Sequence, residues 1–586
     1  MKLLIVVCCI ALVTGAGNRI FAQNEPFTFT ELNQKPGGGN NYRLAHPFEI
    51  IYGPDNYLYI TEKVGRVLRV DTGTGIRRVI LDHRANVFLN ITRNGMGRAT
   101  GIGQDGMMGM ALHPNFAQGT NQDSIFIAYT YASGAARISR FKFNSGANPT
   151  LTNETILISG LPASNDHSTG RLIVGADDKL YYSCGDLGNN QFGNRCNAVR
   201  SQDDPTAGQI AANNYTNYSG KILRLNFDGS IPSDNPTFNG VRSHVYSKGH
   251  RNPQGLVWQK AASNGSSFPV PVVGGKLYST EHGPRTDDEL NMIESGRNYG
   301  WPYIAGDSDN VNYQYVNWSS SGSCNSTAYT ENAIPAGAVI TQEKDAPTAL
   351  KTNFRKPLLS MHVNCGTNPL TVCNAGGTDW MKFATIAPSS VDYYNIQYGM
   401  AIPTWYPSLL IPTLRKGTLY RVKLNNTLDG VATDTIPYFV TYNRYRDVAL
   451  SPDGLKIFII TDSIGSTSGP SGSGTSTLTN RGSILVYQYS GALLSVRDQS
   501  TRNTTQYSFN VYPNPAKSNF SIEVEKGAHK PLKWFLYDAT GKLVSNGMFT
   551  ENRVNVNTGS YRRGLYIVRI TDGTDNVVML KKLILQ

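Results

Sequence analysis

The feature that most constrains this chain is a recurring unit: a turn of Gly, Pro and Asp, a strand of apolar and aromatic residues, then a polar or acidic residue. GPDNYLYITEK from Gly53, GADDKLYYSCGD from Gly175, GGKLYSTEHG from Gly274 and SPDGLKIFIITD from Ser451 all follow it. Strands that recur after such turns without helices between them are how the blades of a β-propeller read in sequence. The spacing is irregular, with long insertions, so an array of β-sandwiches is the competing reading. Composition agrees with an all-β chain: 32 tyrosines, 58 glycines, 29 prolines and only 16% charged residues favour strands and turns. A length of 586 residues fits one large unit of this kind with something small beside it.

The ends of the chain divide it further. Lys2, the apolar run Leu3 to Val13 and the small residues up to Phe21-Ala22 have the pattern of a secretory leader over residues 1–22, and the run is too short to span a bilayer. Residues 23–492 are expected to form the propeller and 493–508 a polar linker. From 509 to 586 a small domain follows, opening with VYPNP and ending with GLYIVRI and KKLIL, whose alternating strands suggest a compact β-sandwich. The formal net charge is +12; Lys2 and Arg19 leave with the leader. The tail holds 11 Lys and Arg against 6 Asp and Glu, about half of what remains. No basic run interleaved with aromatics occurs, which argues against nucleic acid as a partner. Five cysteines lie beyond the leader; proximity in sequence pairs Cys365 with Cys373 and Cys184 with Cys196, leaving Cys324 odd.

Several loops carry groups capable of chemistry. In GHRNPQG, Arg251 and Asn252 precede a proline and so sit on a turn outside any helix. One strand later, Gly283-Pro284 offers carbonyl oxygens of the kind calcium accepts. Taken alone, either turn reads as ordinary loop structure. Gln104 lies among glycines that also suit a tight strand connection. Asp166 and His167 adjoin in a polar turn before a strand, where a histidine is either a surface residue or a general base. Asp186 and Gln191 stand at another strand end, and Asp307 and Asp309 make an oxygen-rich loop suited to calcium or to plain solvation. Arg444 and Arg446 share one face of a strand and repel unless something anionic lies between them, a place a carboxylated ligand would fill.

Together these strings resemble one family, the soluble quinoprotein glucose dehydrogenases, or glucose/sorbosone dehydrogenases, which use pyrroloquinoline quinone (PQQ). QDGMMGMALHPNF, LPASNDHSTGRL, GKILRLNFDGSIPSDNP, GHRNPQGL, GPRTDDELN, NYGWP, TIAPSS and NRYRDVALSPDG carry the likeness, in the family's order, over roughly 30–490. The resemblance implies a six-bladed β-propeller with cofactor and sugar at one mouth of the channel. It implies that His167 is the base, that Asp166 orients the substrate, and that Arg251 and calcium polarise the quinone. Calcium would be held by Gly283 and Pro284. Gln104, Gln191, Asn252, Thr385, Arg415, Arg444 and Arg446 would hold the cofactor's body and its three carboxylates. Gln104, Trp380 and Phe383 would face the substrate, and a further calcium site would form around Glu289, Tyr299, Ala305, Asp307, Asp309 and Glu343.

This chain departs from the family pattern in places. Arg415-Lys416 stands where a lysine precedes an arginine, His282 where glutamine is usual, and Lys382 where a cysteine would close a short disulfide beside the altered aromatic pair. The tail resembles the C-terminal sorting domain of the type IX secretion system. The expected protein is therefore a secreted or surface-bound aldose dehydrogenase, served by an external electron acceptor and handled by the secretion machinery, with a homodimer left open. A non-catalytic carbohydrate-binding propeller and a calcium-dependent lactonase are the competing functions; the lactonase needs acidic ligands at the channel centre, where Gly283-Pro284 offers carbonyls.

Overall fold

A computed structural model describes residues 25–491 and 508–586. Within these it leaves out 33–42, 94–98, 119–121, 264, 266–267, 285, 310–312, 331–332, 362–384, 398–400, 416, 465–477, 527–530, 539–542 and 572–576. The chain divides into two compact units, one spanning Met1–Gln397 and Thr404–Gly491, the other holding Ala492–Gln586 with Tyr398–Pro403.

The first unit contains six four-stranded antiparallel sheets. Blade 1 runs Pro47–Tyr52, Tyr57–Glu62, Arg66–Asp71 and Arg77–Asp82, and blade 2 opens with Met107–Leu112. Blades 3, 4 and 5 open with Thr169–Val174, Pro253–Trp258 and Asp392–Tyr394. Blade 6 takes Tyr445–Leu450, Lys456–Thr461 and Ile484–Tyr489 from late in the chain and completes itself with Phe27–Glu31 from the start. The opening strand of each blade touches that of the next, and those of blades 6 and 1 also meet, so the six close a ring. Radial packing of the six blades leaves only short, protected sheet edges.

The recurring sequence unit is the first hairpin of a blade. Its Gly-Pro-Asp turn joins the inner strand to the second strand, whose apolar and aromatic residues supply the blade core: Leu58, Leu180, Tyr182, Tyr278 and Phe458 are 0% exposed. Because this pair is antiparallel, the polar residue ending the second strand returns beside the start of the inner one. Pro47 faces Glu62, Thr169 faces Cys184, Pro253 faces Glu281, and Tyr445 faces Thr461. A register shift follows at this same end in blades 1, 2, 3, 4 and 6, and such bulges turn side chains away from the regular pleat.

Midway along the channel Arg171 pins the ring together. Its guanidinium lies 2.7 Å from Glu49 of blade 1 and 3.0 Å from Asp447 of blade 6, and donates to the carbonyls of Gln254 and Ser389 at 3.0 Å each. All three charged groups are buried. Desolvation raises the Glu49 pKa well above the ordinary carboxylate value.

The second unit has a three-stranded sheet, Ser508–Tyr512, Asn519–Lys526 and Arg553–Asn557, and a four-stranded sheet of Leu543–Phe549, Leu532–Asp538, Gly564–Thr571 and Val577–Leu585. Phe520 and Ile522 from one sheet share a core with Leu536, Val568, Ile570 and Leu583 from the other, as a sandwich requires.

Candidate active site

Every inner strand begins at the same end of the channel, so the residues just before the inner strands and just after the second strands converge there. They line a cavity of about 470 Å³. His46 and Lys63 come from blade 1, His167 from blade 3, Arg251 and His282 from blade 4, and Arg444 and Asp462 from blade 6. The loops before blades 2 and 5 add Gln104 and Thr385, and Arg415 follows the second strand of blade 5.

His167 is buried, with left-handed backbone (φ 46°) that a non-glycine residue adopts at a cost. Its Nδ1 lies 2.7 Å from Asp186 Oδ1. Asp186 also accepts from Trp301 Nε1 at 2.8 Å and from the Gly188 amide at 2.9 Å, so the carboxylate is held from three sides. With Nδ1 donating to Asp186, Nε2 keeps its lone pair, which meets Gln191 Nε2 at 3.2 Å. The same amide donates to Asp166 Oδ2 at 2.8 Å, and Gln104 donates to Asp166 Oδ1 at 2.8 Å. Gln191 Oε1 accepts from Arg251 Nη2 at 2.9 Å. The Arg251 Nε is buried without a hydrogen-bond partner, and the guanidinium carbon stands 5.3 Å from the Trp301 ring centre.

Asn252 is fully buried, and its amide is committed within the protein. Its oxygen accepts from Thr169 at 2.8 Å and Gln254 at 2.9 Å, while its nitrogen lies 3.3 Å from His282 Nδ1. His282 Nε2 lies 2.9 Å from the Pro388 carbonyl. Burial, with the positive charge of Arg251 nearby, drives the His282 pKa well below its ordinary value, so the ring is neutral. Such a ring donates at Nε2 and accepts at Nδ1, which reproduces a glutamine's one donor and one acceptor. Thr385 Oγ1 donates to Asp288 at 2.5 Å.

The expectation for Arg444 and Arg446 changes here. An anion does lie between them, but it belongs to the protein: Asp462 accepts from Arg444 Nε at 3.0 Å and from Arg446 Nε at 2.8 Å. The two arginines pull the Asp462 pKa down to about 2 against its burial. One carboxylate between two guanidiniums leaves the group cationic, and Arg415 and Lys63 line the same cavity.

Gly283 and Pro284 also line it. A side chain at Gly283 would lie 1.8 Å from the Thr286 carbonyl, so only glycine fits. Behind this turn Glu281 and Glu289 face each other on neighbouring strands, both buried. Desolvation raises Glu281 to about 7 and, with the charge of Glu281 added, lifts Glu289 well above the ordinary value. The Gly306 amide donates to Glu289 at 2.8 Å, bringing the Ala305 turn against that carboxylate. Tyr299, Ala305 and Glu343 are buried, whereas Asp307 and Asp309 are exposed. Among the described residues, no three His, Cys, Asp or Glu side chains cluster as a metal site. Trp380, Lys382, Phe383 and Lys416 lie outside the described residues, as do Cys365 and Cys373.

The cysteine pairing by proximity fails for Cys184. Cys196 is bonded to Cys324, 128 residues away, and Cys184 is a buried free thiol. Cys184 ends a strand whose side chain faces the blade core, whereas Cys196 sits on the loop that leaves the channel mouth toward the insertion holding Cys324. Sequence reading also left Lys63, His46 and Asp462 unassigned.

The six blades close a propeller whose one channel mouth is crowded by cations, amides and an oriented histidine. Residues 44–360 match the Glucose / Sorbosone dehydrogenase family, and residues 510–586 match the Secretion system C-terminal sorting domain. The chain belongs to the glucose/sorbosone dehydrogenase family. It is 36% identical over 456 residues to quinoprotein glucose dehydrogenase B of Acinetobacter calcoaceticus, covering 76% of this chain and 89% of that protein. It is 27% identical over 271 residues to aldose sugar dehydrogenase YliI of Escherichia coli, covering 44% of this chain and 60% of that protein. The apo structure of the soluble aldose sugar dehydrogenase from Escherichia coli shares the fold, with a TM-score of 0.50 at 21% identity over 79% of this chain and all of that one. The sorting domain marks the protein for secretion through the type IX system to the cell surface or beyond.

Proposed function

We propose that this protein is a PQQ-dependent dehydrogenase that oxidises aldose sugars at C1 to lactones and passes two electrons to an external acceptor. The observation that carries the reading is the His167 imidazole, fixed at Nδ1 by Asp186 and presenting Nε2 to a cavity rich in cations. Bound PQQ would supply the two-electron acceptor that no side chain offers.

The residues fit such a group. Arg415, Arg444 and Arg446 line the cavity with more positive charge than Asp462 neutralises, which suits a ligand bearing three carboxylates. Arg251 would face charge developing on the quinone oxygen; its buried, unpartnered Nε–H marks an incomplete environment that a ligand would complete. Calcium would take the carbonyls of Gly283 and Pro284 and polarise the same region. A second calcium around Glu289, Tyr299, Ala305, Asp307, Asp309 and Glu343 would relieve the repulsion between Glu281 and Glu289.

In the reaction, Asp186 holds His167 in the tautomer whose Nε2 can accept a proton. The C1 hydroxyl of the sugar takes the place of Gln191 at Nε2 and gives up its proton there. Asp166, held by Gln104 and Gln191, accepts from a neighbouring sugar hydroxyl and sets the ring's orientation. Asn252 and His282, locked onto each other, keep the floor of the cavity in one arrangement.

Reconstitution tests the reading. The mature protein is titrated with PQQ and calcium, then assayed for dye reduction on a panel of aldoses, with cofactor-free protein as control. Cofactor-dependent reduction is expected. PQQ binding without turnover on any sugar would remove the substrate class, and sugar binding by protein that takes no PQQ would favour a carbohydrate-binding propeller.

A further inference from the structure

Lys63 follows the second strand of blade 1, the position that supplies His282 in blade 4 and Asp462 in blade 6. It is 6% exposed and lines the cavity on the side of Arg444 and Arg446. Its ammonium donates to the Gly103 carbonyl, and among the described residues no carboxylate lies within ion-pair distance of it. A buried ammonium with only a carbonyl partner is costly to charge unless an anion joins it. Burial and Arg446 accordingly pull its pKa down to about 7, against the more distant pull of Asp105 and Asp462. Asp105 is itself engaged by the Asn90 amide at 3.1 Å, and Asp462 by the two arginines. Three cations thus share this wall with one carboxylate that two of them already hold.

We propose that Lys63 is a cofactor-anchoring residue, its ammonium pairing with a carboxylate of the bound cofactor beside Arg444 and Arg446. This rests on the PQQ reading above. It gives this chain a lysine contact from blade 1 in place of the one that the Arg415-Lys416 exchange removes from blade 5. An alkyl ammonium donates in any direction, whereas a guanidinium demands a planar partner, so Arg415 alone does not replace it.

The test is titration of apoprotein with PQQ, followed by the absorbance of the bound cofactor, and with benzene-1,2,4-tricarboxylate as a quinone-free competitor. Relative to wild type, Lys63→Met is expected to weaken PQQ binding about 10–100-fold, the range of a charge-assisted bond, and the competitor in parallel. Lys63→Arg should lie between the two. The thermal midpoint of the Lys63→Met apoprotein should hold or rise, because a buried unpaired charge is gone. A structural role would show the reverse, a lowered apo midpoint with unchanged affinity, and would overturn the proposal; Lys63→Gln serves the same comparison if the methionine variant does not fold. Equal PQQ affinity in wild type and Lys63→Met overturns the Lys63 assignment alone, whereas wild-type protein that binds no PQQ overturns the cofactor reading with it.

Discussion

Asp186 Oδ1 lies 2.7 Å from His167 Nδ1, and the two residues come from opposite ends of one blade hairpin. The register that places Thr169 opposite Cys184 brings the turn before the first strand against the turn after the second. An oriented base is thus built into the propeller's own hairpin geometry.

Asp186→Asn should retain the fold and lower turnover by roughly two to four orders of magnitude, since an amide nitrogen facing Nδ1 stabilises the tautomer that protonates Nε2. Affinity for PQQ should stay within a few-fold of wild type. Steady-state kinetics beside a cofactor titration separates the two; unchanged kcat would take Asp186 out of the mechanism.

Asp462→Asn strips the shared counter-ion from Arg444 and Arg446. Breaking such a buried pair costs about 3–5 kcal/mol, and a polycarboxylate ligand should return part of it. Denaturant melts of apo and PQQ-loaded protein should therefore diverge more in the variant than in wild type. An equal gap would show that no anion reaches these arginines.

Cys196→Ser opens the 128-residue loop closed by Cys324. The expected loss is about 3–5 kcal/mol for a loop of this size, and reduction of the wild-type protein should reproduce it. The free Cys184 should resist alkylation in native protein, because burial pushes its thiol pKa up to about 12. Equilibrium unfolding reads the first and mass spectrometry of alkylated peptides the second.

His46 lines the cavity with Nδ1 2.7 Å from Ser463 Oγ, and burial with Lys63 nearby lowers its pKa to about 4. The unfolded chain, with the ordinary histidine value of 6.5, binds the proton first as pH falls. The stability that His46 contributes is therefore complete above pH 6.5 and is lost as pH drops toward 4, on the order of 3 kcal/mol at most. His46→Gln should flatten the stability curve across that window in equilibrium unfolding at constant ionic strength.

Much of this was legible without coordinates. The turn–strand–polar unit located the first hairpin of four blades; of the polar residues closing it, Lys63, His282 and Asp462 line the channel mouth and Asp186 stands directly behind His167 there. Only Asp186 and His282 drew notice from sequence, because a lysine or aspartate after a strand also reads as a solvated strand end. Once the antiparallel return of each hairpin is applied, all four fall in one place.

What the sequence determined by itself was the local chemistry: strands from apolar-aromatic runs, turns from Gly, Pro and Asp, the likeness to one family, and a base, an arginine and amides at strand ends. Which groups meet was decided by ring closure. Phe27–Glu31 completes a blade begun more than four hundred residues later, Cys196 finds Cys324 and not its neighbour, and Asp462 occupies the gap between two arginines where sequence left room for a ligand. Side-chain partners across a ring are set by the order and direction of whole blades, and a hydrogen bond of 3 Å between residues far apart in sequence leaves no trace in either residue's own neighbourhood.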